Sequence, residues 1–577
     1  MDSSLTQGTT EGYAGLFQPP PTFSDDRPTL LSDHVGHHPV DLRSEGRGCH
    51  LTLARGAAMS PEQVSRSHAM WDRISRGELN AAATDAQLLL SSLEAPADRA
   101  EVHAALGLVL QRVGRIAESR DRFARAAELT RSEPRVQASY VADEAGSRFL
   151  LGDLAGAASG AESARRLGER HANRFAACEA LNTLAAVALA EGRTTTALRL
   201  TREGVRLQAG ERESSGGAPM SHLYLGLALV ELDRFAEAEA AFTEGLTRAA
   251  AAGAAGQLTW FHCMRGLARF LSGEWDAATA DTRAALEAAE RTGTLIARPL
   301  ARGIVGLVEA IRGNVAVAGH LVAPHEGTLI AVGLPGEEWL AMARAAMAED
   351  AAAAYEALVE GWLHTRRTPY FLSWRALAPA VVHHAVRRGD HALAADVVGA
   401  AETGAELAGD VPSARGAALR CRATVDGDAE AGLAAIEALR TSGRPFAFAS
   451  ACLEAALLLH AAGYDDRARA VLRESADAFH GLRATPWLAY AGQRMAQLAG
   501  EPPAPARPAV APGWELLTPT ERDVAVLVAK GMSNPQIGAA LFVSPRTVQT
   551  HTSHIYAKLR ISSRVQLSAL LHQHGLD

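Results

Sequence analysis

The sequence predicts an all-α protein, a long helical solenoid followed by a four-helix domain of helix-turn-helix type. Three observations carry this. Glycine or aspartate turn residues recur at intervals of 36 to 41 residues from Gly114 to Gly463, between segments whose apolar residues have helical rather than strand period. A stretch rich in proline and alanine, Glu501 to Pro512, then breaks the pattern. Beyond it three helix-start signals follow in close succession, at Thr518, Ser533 and Ser544.

Residues 1–58 contain Pro19-Pro20-Pro21, several histidines and serines, and no helical period, so they are expected to be disordered. Asp33-His34 and His37-His38 lack further ligands around them and are not expected to hold a metal. Met59-Ser60-Pro61-Glu62 leads directly into helical pattern and reads as an alternative start of the chain.

Residues 59–500 are the repeat body. Its turn residues are Gly114, Gly152, Gly192, Asp233, Gly273, Gly313, Asp350, Gly389, Gly427 and Gly463. The plainest copies of the repeated phrase are Gly107, Gly114, Phe123 and Gly226, Asp233, Phe242, followed by Gly266, Gly273, Ala278 and Gly306, Gly313, Ala318. A small residue stands seven before each turn, another about five after it, and an aromatic or apolar one nine after. Small side chains let paired helices approach closely, and Gly or Asp tolerates the turn. These offsets resemble the tetratricopeptide repeat, which implies a stack of about ten helix pairs; the spacing exceeds that family's usual length of about 34, so longer loops are expected between pairs. The copies from Asp350 to Gly427 are the least regular. A solenoid presents a concave surface that ordinarily binds protein segments or ligands. Trp260, Phe261, Trp275, Trp339, Trp362, Tyr370, Phe371 and Trp374 crowd its middle, and either line that surface or fill helix-pair cores.

Residues 501–512 form a Pro/Ala linker, expected to act as a semi-rigid spacer holding the last domain away from the body. Residues 513–577 then hold four short helices. Thr518-Pro519-Thr520-Glu521 is a capping box with proline at the first helical position, and Ser533-Asn534-Pro535-Gln536 is a second, just after Gly531. Ser544-Pro545 opens the third helix, one short turn after Leu541. A helix, a tight turn and a second capped helix is the plan that enters a DNA major groove.

On a wheel, Val548, Ile555 and Leu559 of the third helix fall in one narrow sector facing the other helices. Arg546, Gln549, Thr550, Ser553 and Ala557 fall opposite, polar and short enough to approach base edges. His551, His554 and Lys558 lie along one flank, placed to reach phosphates. Between Val524 and Leu576 there is no Asp or Glu, while Lys530, Arg546, Lys558, Arg560 and Arg564 all occur, a balance that suits a polyanion. The whole chain carries −8, and Trp514 to Asp577, with six basic and four acidic residues, carries +2, leaving −10 for the rest. An acidic body with a basic end is expected where only that end meets nucleic acid.

Leu517-Thr518-Pro519-Thr520-Glu521-Arg522, Gly531-Met532-Ser533-Asn534, Ile537, Leu541, Ser544-Pro545-Arg546-Thr547-Val548-Gln549-Thr550-His551, Ile555, Lys558-Leu559 and Ser563-Arg564 together resemble the LuxR-type DNA-binding domain. The resemblance covers about a ninth of the chain without a gap. It implies that the third helix reads DNA and the fourth helps pair two copies. Arg546, Gln549, Thr550 and Ser553 are then the expected base contacts, and Ser544, Thr547, His551, Lys558 and Arg564 the expected backbone contacts. Arg564 is equally placed to brace the fold. Val565 and Leu571 on the last helix are the expected pairing residues. The sequence departs from the family at Gln549, where many members have a basic residue, and at Pro535, where many have a charged one.

The five cysteines, Cys49, Cys178, Cys263, Cys421 and Cys452, show no C-x-x-C pairing, which argues against a disulfide framework or zinc site and for a reducing cytoplasm. No apolar run approaches the length of a membrane span. Lys530 and Lys558 are the only lysines, an arginine bias that looks like a GC-rich bacterial genome. Large LuxR-type regulators often carry an ATPase module, but its G-x-x-x-x-G-K-[ST] loop has no lysine to use here before Lys530. The expectation is therefore a cytoplasmic transcription regulator that is not an enzyme and needs no cofactor or metal. Its expected partners are double-stranded promoter DNA, a second copy of itself on that DNA, RNA polymerase, and a ligand or protein on the solenoid groove, with no membrane. The rival reading is a solenoid scaffold whose terminal domain only mediates dimerisation. The polar, acid-free face of Arg546, Gln549, Thr550 and Ser553 separates the two, since a scaffold has no reason to keep it.

Overall fold

Helix pairing in this chain is governed by which residues let two helices touch. The structure is a computed structural model that describes residues 59–209, 220–323, 336–348, 350–367, 373–499, 514–559, 561 and 563–573. The expectations for 1–58, the 501–512 linker, Tyr370, Phe371 and Arg560 fall outside these. Eleven helix hairpins follow one another: α1 (Pro61–Ser75) with α2 (Leu79–Ser92), α3 (Pro96–Arg112) with α4 (Ile116–Leu129), α5 (Pro134–Leu150) with α6 (Leu154–Arg170), α7 (Arg174–Ala190) with α8 (Thr194–Ala209), and α9 (Met220–Glu231) with α10 (Phe235–Ala251). Next come α11 (Ala255–Leu271) with α12 (Trp275–Thr292), α13 (Arg298–Arg312) with α14 (Val315–Val322), and α15 (Glu337–Met347) with α16 (Ala351–Arg367). The last three are α17 (Trp374–Arg388) with α18 (His391–Ala408), α19 (Pro412–Asp426) with α20 (Ala429–Arg440), and α21 (Pro445–Ala461) with α22 (Asp465–Gly481). A single helix α23 (Thr485–Leu498) ends the body, and α24 (Pro519–Ala529), α25 (Asn534–Leu541), α26 (Pro545–Leu559) and α27 (Arg564–Gln573) follow.

The offsets seen in the sequence have a direct physical meaning. A Cβ on Gly226 would lie 2.4 Å from the Phe242 ring, and one on Gly107 2.8 Å from Phe123. The small residue before each turn is thus the floor on which the residue nine after the turn packs. The turns at Gly114, Gly152, Gly192, Asp233, Gly273, Gly313, Gly389, Gly427 and Gly463 all take positive φ, from 57° to 88°. Asp350 departs from the pattern. Helix α15 ends in extended backbone at Ala348, so the chain needs no left-handed residue there. Asp350 instead caps α16, its Oδ1 accepting from the N–H groups of Ala352 and Ala353 at 2.9 and 2.8 Å. The first hairpin, turning at Gly77 (φ 75°), adds one pair to the ten expected. It opens with a capping box, in which Ser60 N–H donates to Gln63 Oε1 at 2.8 Å.

The solenoid coils back on itself. Arg444 Nε donates to Asp233 Oδ1 at 2.8 Å across 211 residues, and its NH2 reaches the Val230 carbonyl at 2.9 Å across 214. Arg375 NH1 donates to the Glu231 carbonyl at 2.8 Å and to Ser413 Oγ at 2.9 Å, while its NH2 lies 2.9 Å from Glu231 Oε2. All four charged side chains are buried. Burial pushes the Glu231 carboxyl up and the Arg375 guanidinium down, each opposed by the other's charge. Beside this network Trp275 packs on Phe446, and Phe446 meets Trp487 edge-on. Phe261, Trp275, Trp339 and Trp362 are buried and fill cores, Trp374 is buried with one side on the cavity between coils, and Trp260 is half-buried.

The terminal helices rest on the body, and the expected separation by a spacer is corrected. Val305, Val317 and Leu321 of α13 and α14 join one apolar cluster with Leu517, Val524, Leu527 and Ile537. Lys530 Nζ donates to Asn314 Oδ1 at 2.5 Å, and Asn314 Nδ2 donates to Glu309 Oε2 at 2.6 Å. His320 Nε2 lies 2.9 Å from Asp523 Oδ2. That carboxylate holds the His320 imidazole above its usual range against the opposing effect of burial. A raised value makes this contact strongest at acid pH, weakening as pH climbs through the folded-state value.

Two outcomes are expected. Arg444→Ala leaves Asp233 a buried charge facing Arg375 alone, and should cost about 3–5 kcal/mol, read as a lowered urea midpoint; Asp233→Asn with Arg444→Met should recover most of it. Val317→Asp should release the terminal helices, seen as a larger radius of gyration in solution scattering with an unchanged helical circular-dichroism signal.

Candidate nucleic-acid interface

The first three helices of the terminal domain start where their sequence says they should. Thr518 N–H donates to Glu521 Oε2 at 2.8 Å, and Glu521 N–H donates to Thr518 Oγ1 at 3.3 Å, closing the capping box of α24. Ser533 N–H donates to Gln536 Oε1 at 2.8 Å at the start of α25. Phe542 ends α25 in the left-handed region (φ 55°, ψ 38°), a strained place for a bulky residue, and its ring is exposed. The turn comes so close to α25 that a Cβ on Gly538 would sit 2.7 Å from the Val543 carbonyl oxygen. Ser544 Oγ accepts from Thr547 N–H at 3.1 Å and caps α26, with its oxygen 2.8 Å from Thr547 Oγ1. Both expected backbone-contact hydroxyls therefore stand at the helix N-terminus, where anions are favoured.

Helix α26 divides as the wheel predicts. Val548, Thr552, Ile555 and Leu559 are buried against the other helices. Arg546, Gln549, Thr550, Ser553 and Ala557 are exposed. Thr550 Oγ1 donates to the Arg546 carbonyl and Ser553 Oγ to the Gln549 carbonyl, each at 3.1 Å. Gln549 Oε1 accepts from Asn534 Nδ2 at 2.7 Å. Docking on the body engages α24 and the start of α25 and leaves this polar face open.

The flank is more occupied than the sequence implies. Lys558 Nζ donates to Glu521 Oε2 at 2.5 Å, and His554 Nδ1 lies 3.8 Å from Glu521 Oε1. Burial acts upward on the Glu521 carboxyl, but the hydrogen bonds from Lys558 and Thr518 outweigh it and hold it below the usual carboxylate range. His551 is half-buried and His554 exposed. Arg564 turns inward: its NH1 donates to Asn534 Oδ1 at 3.2 Å and its NH2 to the Met532 carbonyl. Leu571 is wholly buried in the domain's own core with Leu567, whereas Val565 is 77% exposed. Of the two expected pairing residues, only Val565 is therefore exposed. Sequence reading missed the roles of Glu521 and Asn534, each visible there only as part of a capping signal.

In the body, a cavity of about 590 Å³ lies between Glu191 and Gly192 on one coil and Trp374, Arg375, Thr403 and Leu407 on the next. Among the described residues no cluster of His, Cys, Asp and Glu has the makings of a metal site, and no helix is long and apolar enough to cross a membrane.

Comparison with known proteins gives the domain its class. Residues 515–571 match the family described as bacterial regulatory proteins, luxR family. The terminal helices are a LuxR-family helix-turn-helix domain. Over 68 residues the chain is 62% identical to a candidate HTH-type transcriptional regulator of Mycobacterium tuberculosis, covering 12% of this chain and 7% of that protein. It is 43% identical over 61 residues to the uncharacterized transcriptional regulatory protein YhcZ of Bacillus subtilis, covering 11% and 28%. It is also 40% identical over 63 residues to the response regulator VraR of Staphylococcus aureus, covering 11% and 30%. The chain thus spans less than a third of the length of these curated relatives. Among solved structures, a Rap protein complexed with competence and sporulation factor has a TM-score of 0.31 at 11% identity, covering 76% of this chain and 98% of that one. The apo form of RapI has a TM-score of 0.35 at 12% identity, covering 60% and 97%.

Lys558→Ala should expose the dependence of the domain on its buried carboxylate. Removing the ammonium leaves Glu521 short of a donor, and the domain should lose about 1–2 kcal/mol in chemical denaturation at neutral pH. Because the folded Glu521 value is depressed, its contribution is present above the unfolded carboxyl value near about 4.3 and is lost as pH falls through the folded one. Stability of the variant should vary less across that acid window than stability of the natural chain.

Proposed function

We propose that the chain is a sequence-specific DNA-binding transcriptional regulator whose helical body senses a ligand or protein partner. The observation that carries this reading is the α26 face of Arg546, Gln549, Thr550 and Ser553. It is exposed and free of acidic groups, lies on a helix whose other side is fully packed, and stays uncovered when the domain is seated on the body. A domain kept only for packing or pairing has no physical need of such a face. Arg546 and the α26 N-terminus supply attraction for phosphates, while Lys558, tied to Glu521, contributes less net charge than its position implies. The inter-coil cavity beside Arg375 is the natural place for an effector to alter the coil, and RNA polymerase is the further partner that promoter binding implies.

Two recognition helices entering one face of the duplex must stand about 34–36 Å apart, so two domains must pair. We assign the pairing to the exposed side of α27, with Val565 at its centre.

Selection of binding sites by the full chain should yield a two-part site. Gln549→Ala and Thr550→Ala should each weaken binding to it by about 1–3 kcal/mol and relax the preference locally. Val565→Glu should remove paired protection in footprinting while the domain stays folded, whereas Leu571→Glu should unfold it. A chain that enriches no sequence, or variants that keep the full preference, would leave the scaffold reading in place.

A further inference from the structure

Among the described residues, four that are not glycine hold a left-handed backbone: Ala172, Asp233, Arg483 and Phe542. Such a backbone is strained for a residue with a Cβ, and it persists where the side chain serves a contact. Ala172 carries only a methyl group. Asp233 gives its carboxylate to Arg444 and Arg483 reaches Asp276, so both serve the seam between coils. Phe542 is the exception. Its ring is 62% exposed and belongs to no apolar cluster among the described residues, whereas the next residue, Val543, packs on the domain core. Glycine or asparagine adopts this backbone with less strain. Within the chain, the ring makes no contact that would offset its backbone.

The place of Phe542 points to what lies outside. It stands two residues before Ser544, whose hydroxyl caps α26, and four before Arg546 on the reading face. Two residues span at most about 7 Å. An α-helix with its side chains is about 10–12 Å across and the major groove about 12 Å wide. A helix end that enters the groove therefore fills it, and the residues just ahead of that end meet the groove wall. That wall is not phosphate alone: sugars line it, and the thymine methyl stands beside the base edges. We propose that Phe542 is a DNA contact, its ring covering apolar carbon at the rim of the major groove beside the N-terminus of α26. The inference rests on the regulator reading above and extends its DNA surface from α26 to the turn ahead of it.

The test compares the full chain with Phe542→Gly, Phe542→Asn and Phe542→Tyr, on duplexes obtained by binding-site selection with the natural chain. Glycine and asparagine suit a left-handed turn, so amide hydrogen exchange in α25 and α26 should be no faster in those two variants than in the natural chain. Both should nevertheless bind DNA about tenfold more weakly, the loss expected when part of a phenyl ring's burial is forgone. Phe542→Tyr keeps the ring and should bind as the natural chain does. The contact is uncharged, so the slope of affinity against salt should not change, unlike the loss of a phosphate contact. A loss equal on all duplexes marks the sugar, and one confined to duplexes with thymine at one position marks its methyl; either outcome carries the proposal. The proposal is overturned if the glycine and asparagine variants bind as tightly as the natural chain, or lose binding only together with faster exchange. A defect that appears only when RNA polymerase is present would also overturn it. A natural chain that enriches no sequence would overturn the regulator reading itself, and this with it.

Discussion

The contact between one coil of the solenoid and the next is the constraint on which the rest of this molecule depends. A stack of helix pairs joined only to their neighbours is quasi-one-dimensional and bends easily. Here the turn of one hairpin rests on chain 207 to 216 residues further on, through Arg483 on Asp276, Arg444 on Asp233 and Lys530 on Asn314. The buried pairs Glu231–Arg375 and Asp233–Arg444 sit at the centre of that seam. Burying four charges is costly, so their worth lies in register more than in net stability, because a coil slipped by one hairpin would leave each of them alone. The same seam, continued past the end of the repeats, is where the terminal domain sits: Asn314 and His320 meet Lys530 and Asp523 where a further hairpin would otherwise pack.

Within that domain a single carboxylate joins several jobs. Glu521 closes the capping box of α24, receives Lys558 from the far end of α26 and lies near His554. It ties the first helix to the third from inside, leaving the outer face of α26 to exposed polar side chains. Arg564 does the same on the other side, linking α27 to the turn before α25 and, through Asn534, to Gln549. The proposed reading head is thus held by two charge-assisted networks, one of which reaches its surface at Gln549.

Much of this was legible in the sequence and some was not, for physical reasons. Turns and close approaches are local: Gly107 against Phe123 and Gly226 against Phe242 are spaced by the geometry of one hairpin, and the two faces of α26 by one helix. Asp350 was misread because a cap and a left-handed turn both favour aspartate, and only the extended end of α15 decides between them. The coil seam has no local spacing at all. Its trace was two acids, Glu231 and Asp233, at the end of an apolar helix. The docking of the terminal domain had a fainter trace. Helix α14 reads Val-Ala-Val-Ala-Gly-His-Leu-Val, apolar but for His320, and a helix with so little polar side is covered on more than one face. Leu571 was placed on the pairing surface because a fourth helix bearing four apolar residues gives no sign of which face its neighbours use; Val565 is the one left out.

The measurement that bears most directly on this account is the structure of the full chain bound to a DNA site it selects. The account predicts α26 in the major groove with Gln549, Thr550 and Ser553 on base edges, α27 against its partner through Val565, and α24 still seated on α14. DNA held on another surface of the chain, or α26 turned away from the groove, would contradict it.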